Sequence, residues 1–137
     1  MTVLLGSPVF LLVVCLCIEF FRRKVSPQRH RSHFISYKTK EDDAAVMMLY
    51  HMLPGKHWLD VYAADRSTSA MIKGIENCDV FLVFLSPNYF HSAYCCLEIY
   101  SAIKLGKPII CCYNSVANNF NTVRGWIPEE LRTGLER

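Results

Sequence analysis

The chain has 137 residues, of which 52% are hydrophobic and 20% are charged, so it can bury the core of one domain. This composition excludes disorder as the main interpretation. The formal net charge of +3 divides unevenly, with +4 before Ser32 and −1 from Ser32 onward. Such a distribution argues against a basic domain that binds nucleic acid.

The first 21 residues are unusually apolar, because 16 of them are hydrophobic. As a helix, the roughly 19 residues of 3–21 would extend about 28 Å, close to the thickness of a bilayer core. Three basic residues, 22–24, follow directly and favour a cytosolic position for that side. Residues 1–24 are therefore predicted to form a transmembrane or signal-anchor helix, which makes this a single-pass membrane protein with a cytoplasmic domain. A cleaved signal peptide and a helix packed on protein remain alternatives.

Residues 25–31 are predicted to be a linker, and residues 32–137 a folded domain. Four runs rich in β-branched and aromatic residues predict strands at 33–37, 58–62, 80–85 and 109–113. The third run is apolar at all six positions, which is typical of a central parallel strand covered on both faces. The alternation of strands and longer segments predicts an α/β fold with an open, doubly wound parallel sheet.

Helices are predicted between these strands. They begin at Asp42 or Asp43, at Ser67, and at Ser92 as an N-cap, and the last of them runs through Lys104. The segment 114–125 is predicted to be a loop because it is rich in asparagine, with four of them, and contains a glycine, and a short helix is expected to follow with Pro128 at its start. No fifth strand is visible in the sequence.

Conventional catalytic motifs and metal-ligand spacings do not occur in the sequence, so no metal site is predicted. In an open parallel sheet, ligands bind outside the carboxyl ends of the strands. This rule selects the segments 37–41, 60–69 and 86–98. Within them Glu98 stands near a helix start, where a carboxylate can bind sugar hydroxyls and stabilise an oxocarbenium-like charge. The alternative is a solvated glutamate that the helix dipole favours.

The domain resembles the Toll/interleukin-1 receptor (TIR) domain from about Ser32 to Leu131. The resemblance rests on residues that occur in the family's order and at its spacing. They are Phe34-Ile35-Ser36-Tyr37, Trp58-Leu59-Asp60, Gly74-Ile75, the run from Cys78 to Pro87, Tyr89-Phe90, Ser92, Tyr94-Cys95, Glu98, and Gly106-Lys107-Pro108-Ile109-Ile110. It implies a flavodoxin-like sheet.

TIR domains are of two kinds, signalling scaffolds and enzymes that cleave NAD⁺ to nicotinamide and ADP-ribose or its cyclic form. The enzymatic kind uses a glutamate in a context that Ser92, Tyr94, Cys95 and Glu98 match. The resemblance therefore implies Glu98 as the catalytic residue, with NAD⁺ as substrate and no cofactor or metal. It also implies substrate-binding residues and an interaction loop for other TIR domains. The former are Tyr37, Lys38, Asp60, Ser86 and Tyr94, and the latter contains Tyr62, Asp65 and Arg66.

Two functions stay open for this chain. One is a membrane-anchored TIR enzyme that cleaves NAD⁺ when self-assembled, and the other is a TIR scaffold or adaptor in immune-type signalling that acts by TIR–TIR association. A flavin- or nucleotide-binding module is a weaker alternative because the sequence has no phosphate-binding loop. Two departures from the family concern the interaction loop, which has neither glycine nor proline, and the absence of a fifth strand after Leu131.

Overall fold

The computed structural model describes residues 17–18, 32–59 and 66–135. Its strands are β1 (Cys17–Ile18), β2 (Ser32–Tyr37), β3 (Lys56–Leu59), β4 (Val80–Leu85) and β5 (Ile109–Tyr113). They form one sheet in the order β1-β5-β4-β2-β3. The pairs β2–β3, β2–β4 and β4–β5 are parallel, which confirms the predicted parallel arrangement of four strands.

The described helices are α1 (Asp43–Met52), α2 (Thr68–Asn77), α3 (Ala93–Lys104), α4 (Phe120–Trp126) and α5 (Glu129–Leu135), with a 3₁₀ turn at Tyr89–His91. The first three lie where the sequence predicts them. Ser67 and Ser92 cap α2 and α3, since their hydroxyls accept hydrogen bonds from Ala70 N and Cys95 N.

The sheet is covered on both faces, as the doubly wound prediction requires. All six residues of β4 are buried, and the side chains from Phe81 to Leu85 alternate between two cores. Phe81, Val83 and Leu85 pack with α2, α3 and α4, whereas Leu82 and Phe84 pack with α1. These contacts hold the carboxyl ends of β2 and β4 side by side.

The segment predicted to be a loop contains a helix, so that prediction is wrong for part of 114–125. The helix α4 begins after Asn119, whose side chain accepts a hydrogen bond of 2.8 Å from Thr122 N. The asparagine therefore acts as an N-cap rather than as a loop former. Val123, which is fully buried, attaches this helix to the core.

A fifth strand is present, although the sequence shows none after Leu131. It is β1, which pairs antiparallel with β5 and places Cys17 opposite Cys112. The predicted N-terminal helix is therefore wrong at residues 17 and 18, because both are extended. The other residues of the predicted helix and linker lie outside the described ones. Among the described helices, none has the length and apolarity needed to cross a membrane. The anchor and the cytoplasmic location stay predictions.

Two helical glycines differ in the space around them. A Cβ atom on Gly74 in α2 would lie 3.1 Å from the ring of Trp58 and 3.3 Å from that of Phe34, whereas a Cβ atom on Gly125 in α4 would meet nothing within 4 Å. Trp58 and Phe34 are themselves stacked with their centroids 5.8 Å apart. The close packing of α2 on the sheet thus depends on glycine at position 74, which has no side chain.

We expect Gly125→Ala to raise the free energy of unfolding by about 0.5 kcal/mol, because alanine restricts the unfolded chain and favours the helix. Gly74→Ala has the same favourable effect on the backbone, but the new Cβ atom forces Trp58 to move. The free energy of unfolding of Gly74→Ala should therefore be lower than that of Gly125→Ala by about 1 kcal/mol or more. Urea denaturation of both variants and the wild type measures the difference. Equal stabilisation by the two substitutions would contradict the packing described for α2.

Candidate functional site

A cavity of about 230 Å³ lies where β2 ends, against the first turns of α3. The position agrees with the rule that ligands bind outside the carboxyl ends of parallel strands. Its wall combines a carboxylate, a lysine, hydroxyl groups and apolar surface. The lining residues are Ile35, Tyr37, Lys38, Thr39, Ser92, Tyr94, Cys95 and Glu98.

Glu98 is the acidic residue of this wall. It follows the capped N-terminus of α3, and only 3% of its surface is exposed. The Ser36 hydroxyl on β2 donates a hydrogen bond of 3.0 Å to Glu98 Oε1. A carboxylate so far removed from water needs such donors, since its desolvation is costly.

The structure brings four of the predicted site residues together, because Tyr37, Lys38 and Tyr94 line the same cavity as Glu98. Ser86 does not line it. Its side chain is buried and its hydroxyl donates a hydrogen bond of 2.8 Å to Glu41. The roles assigned to these residues stay predictions.

The predicted interaction loop is only partly described. Tyr62 and Asp65 of this loop lie outside the described residues, as does Asp60, which was predicted to bind substrate. Arg66 is exposed and stands directly before Ser67, the N-cap of α2.

Glu41 has a structural role that the sequence does not reveal. Its carboxylate accepts hydrogen bonds from Ser86 Oγ, from the Asn88 backbone at 3.1 Å and from Asn88 Nδ2 at 2.9 Å. The loop after β2 is thereby tied to the loop after β4. Burial raises the pKa of Glu41, but these hydrogen bonds and the charge of Lys38 outweigh it, so the net pKa lies below its ordinary value.

The loop that carries Lys38 and Thr39 also contains strained backbone. Lys40 and Asp42 have φ angles of 68° and 54°, in the left-handed region that residues other than glycine rarely adopt. A second tie supports this conformation, since Asn114 Nδ2 donates a hydrogen bond of 3.2 Å to Asp42. The cavity wall therefore depends on contacts with the loops after both β4 and β5.

The thiol in the wall is unsuited to act as a nucleophile. Burial raises the pKa of Cys95 to about 11, so the thiol is protonated at neutral pH. Among the described residues, no group of three His, Cys, Asp or Glu side chains is placed to hold a metal ion. Glu98 is accordingly the group in this cavity best suited to stabilise a positive charge or to accept hydrogen bonds from hydroxyl groups.

A family model described as TIR domain matches residues 34–128, which is well over half of the chain, and the chain therefore belongs to the TIR domain family. The match spans β2 to the residue before α5 and includes the whole cavity wall. A search among curated proteins found no match. TIR domains act in signalling and commonly associate with other TIR domains.

We expect Glu41→Gln to lower the free energy of unfolding at pH 7, because the charged acceptor of three hydrogen bonds is lost. The pKa of Glu41 is lower in the folded chain than its ordinary value of 4.5. The stabilisation is thus fully present above that value and is lost as the pH falls through the lower, folded pKa. The advantage of the wild type should therefore shrink below pH 4.5.

Urea denaturation between pH 7 and pH 3 measures this dependence. Glu76→Gln, at an exposed position on α2, makes the same chemical change and serves as the matched control. A stability difference between Glu41→Gln and the wild type that stays constant over the whole pH range would contradict the tie between the two loops.

Proposed function

We propose that this TIR domain cleaves NAD⁺ to nicotinamide and ADP-ribose, or its cyclic form, when it is self-assembled, and that Glu98 is the catalytic residue. The observation that carries the proposal is the placement of a carboxylate, 3% exposed, in the wall of a cavity at the carboxyl edge of the sheet. Family membership supports it, because some TIR domains are enzymes of this kind. In this chain, the burial of Glu98 and its place in the cavity wall support the proposal.

The chemistry needs an anion close to the sugar. When the bond between ribose C1′ and the nicotinamide nitrogen breaks, the bonding electrons leave with nicotinamide and the ribose becomes an oxocarbenium ion. Glu98 would accept hydrogen bonds from the ribose hydroxyls and stabilise that positive charge, an effect that burial strengthens. Water then adds to C1′ and loses a proton, which gives ADP-ribose. Attack by the adenine ring in place of water gives the cyclic product.

The remaining wall residues suit the other parts of the substrate. Tyr37 and Tyr94 offer aromatic surface for the nicotinamide ring, and Lys38 offers a positive charge for the diphosphate. At about 230 Å³, the cavity is smaller than the 300–1,000 Å³ usual for drug-sized ligands. It therefore accommodates the nicotinamide ribose end, and the rest of the dinucleotide extends along the surface, where a second TIR domain can contact it.

We expect the purified full-length chain at high concentration to consume NAD⁺ and release nicotinamide, measured by chromatography. Glu98→Gln should lower the rate of cleavage at least a hundredfold, because it removes the charge that stabilises the oxocarbenium ion. Glutamine has nearly the same shape as glutamate, so the substitution tests the charge alone. Glu76→Gln should retain wild-type activity. Undiminished cleavage by Glu98→Gln would refute the catalytic assignment, and no nicotinamide release by the wild type at any concentration would refute the enzymatic function.

A second candidate function is a TIR scaffold that works by association alone. The observation that favours it is a set of large apolar side chains left exposed on and just after α3. Leu97, Tyr100 and Leu105 are exposed by 39%, 43% and 41%. Neighbouring apolar side chains on the surface are a feature of protein interaction sites.

Both functions depend on association between TIR domains, and a substitution of Arg66 tests whether the predicted interaction loop takes part in it. Arg66→Glu should weaken concentration-dependent association, measured by sedimentation velocity, because it reverses a charge in the proposed interaction loop. Lys73→Glu, an equal charge change at an exposed site on α2, is the control and should associate as the wild type does. Association unchanged by Arg66→Glu would exclude this loop, and association lost equally in both variants would indicate a general charge effect.

A further inference from the structure

Behind the cavity wall, three buried polar side chains from three different elements are joined in a row by two hydrogen bonds. Tyr89 comes from the 3₁₀ turn, Ser36 from β2 and Glu98 from α3. Their exposed fractions are 0%, 1% and 3%. The Tyr89 hydroxyl lies 2.5 Å from Ser36 Oγ, and Ser36 Oγ lies 3.0 Å from Glu98 Oε1.

Only one assignment of donors and acceptors satisfies both of these hydrogen bonds. Ser36 has a single hydroxyl proton and donates it to the Glu98 carboxylate, so the short contact with Tyr89 requires the phenol to donate to Ser36. Burial, followed by the negative charge of Glu98, raises the pKa of Tyr89 well above its ordinary value, which keeps that proton in place. The same phenol proton has a second acceptor, the carbonyl oxygen of Cys95, at the longer distance of 3.3 Å.

Neither Tyr89 nor Ser36 lines the cavity, and both reach it through Glu98. A phenylalanine at position 89 would fill nearly the same volume with no hydroxyl to desolvate. The role of the Tyr89 hydroxyl is therefore its hydrogen bond to Ser36, which restricts the Ser36 hydroxyl to the orientation in which it donates to Glu98.

We propose that Tyr89 and Ser36 are positioning residues, which hold the Glu98 carboxylate ionised and oriented toward the cavity through a directed relay of two hydrogen bonds. The kinetic consequences of this relay rest on the proposed cleavage of NAD⁺, but the relay itself does not. Within the described part of the chain, the other titratable groups that line the cavity with Glu98 are Tyr94 and Cys95 on its own helix and Tyr37 and Lys38 at the end of β2.

The kinetic test compares Tyr89→Phe, Ser36→Ala and the conservative Ser36→Thr with the full-length wild type. Removal of either hydroxyl should lower kcat for NAD⁺ cleavage about tenfold and leave KM within about twofold, because orientation of the carboxylate affects the transition state more than binding. The acidic limb of the pH–rate profile should move to higher pH. Ser36→Thr should keep most of the activity, because threonine retains the hydroxyl. The double variant Tyr89→Phe/Ser36→Ala should lose no more activity than either single variant, since the two residues act as one unit.

A second readout does not depend on activity. In full-length chain with ¹³C-labelled glutamate side chains, the Glu98 carboxyl resonance, assigned from its loss in Glu98→Gln, is followed from pH 8 to pH 3. Tyr89→Phe and Ser36→Ala should move its titration to higher pH, because the ionised form loses a donor. Tyr113→Phe removes a hydroxyl from another buried tyrosine, 6% exposed on β5, and should leave that titration unchanged.

The outcomes separate the two proposals. If the wild type releases no nicotinamide but the Glu98 titration moves in Tyr89→Phe and Ser36→Ala, the proposed function is wrong and the relay stands. If the wild type is active and both variants keep its kcat, pH profile and carboxyl titration, the relay is wrong. A shift of equal size in Tyr113→Phe would likewise overturn it, since the effect would then reflect general loosening of the core.

Discussion

The burial of one carboxylate governs how the centre of this domain is built. Glu98 is almost wholly removed from water, and an ionised group in that position is tolerated only where donors are supplied. Ser36 provides one from the adjacent strand, and Tyr89 fixes the orientation of that donor. Three elements are thus held to one another by a polar contact within an otherwise apolar core. Rotation of α3 by a single residue, about 100°, would remove the carboxylate from both the donor and the cavity.

Hydrogen bonds between side chains also fix the loops at the carboxyl edge of the sheet. Glu41 binds the loop after β4, and Asp42 is held by Asn114 from the loop after β5. The backbone is left-handed at Lys40 and at Asp42, on either side of Glu41. The cavity wall next to Glu98 is formed by the residues just before these ties. Lys38, the first residue after β2, lines the cavity together with the Glu98 carboxylate. Rigidity at this edge is what a site that orients a sugar relative to a carboxylate requires.

Local patterns in the sequence were sufficient to identify the four parallel strands and the first three helices, because periodicity, caps and the fully apolar run of β4 act over a few residues. They did not give the start of β3, which lies at Lys56 and not at Trp58. They were insufficient for α4, where Asn119 and Gly125 are typical of loops as well as of helix ends. The pairing of β1 with β5 has no local signature either, since about ninety residues separate the partners. Family resemblance and the strand-end rule both selected Glu98. Its partners were not selected, because Ser36 lies 62 residues from Glu98 and 53 from Tyr89.

We propose that NAD⁺ binds and reacts in this cavity, with Glu98 in its wall. The most direct measurement is a titration of ¹³C-glutamate-labelled full-length chain with a non-hydrolysable NAD⁺ analogue, at a concentration where the chain self-associates. We expect a saturable change in the Glu98 carboxyl resonance, while the resonance of the exposed Glu76 stays unchanged. Saturable binding of the analogue that leaves the Glu98 resonance unmoved would contradict the proposal.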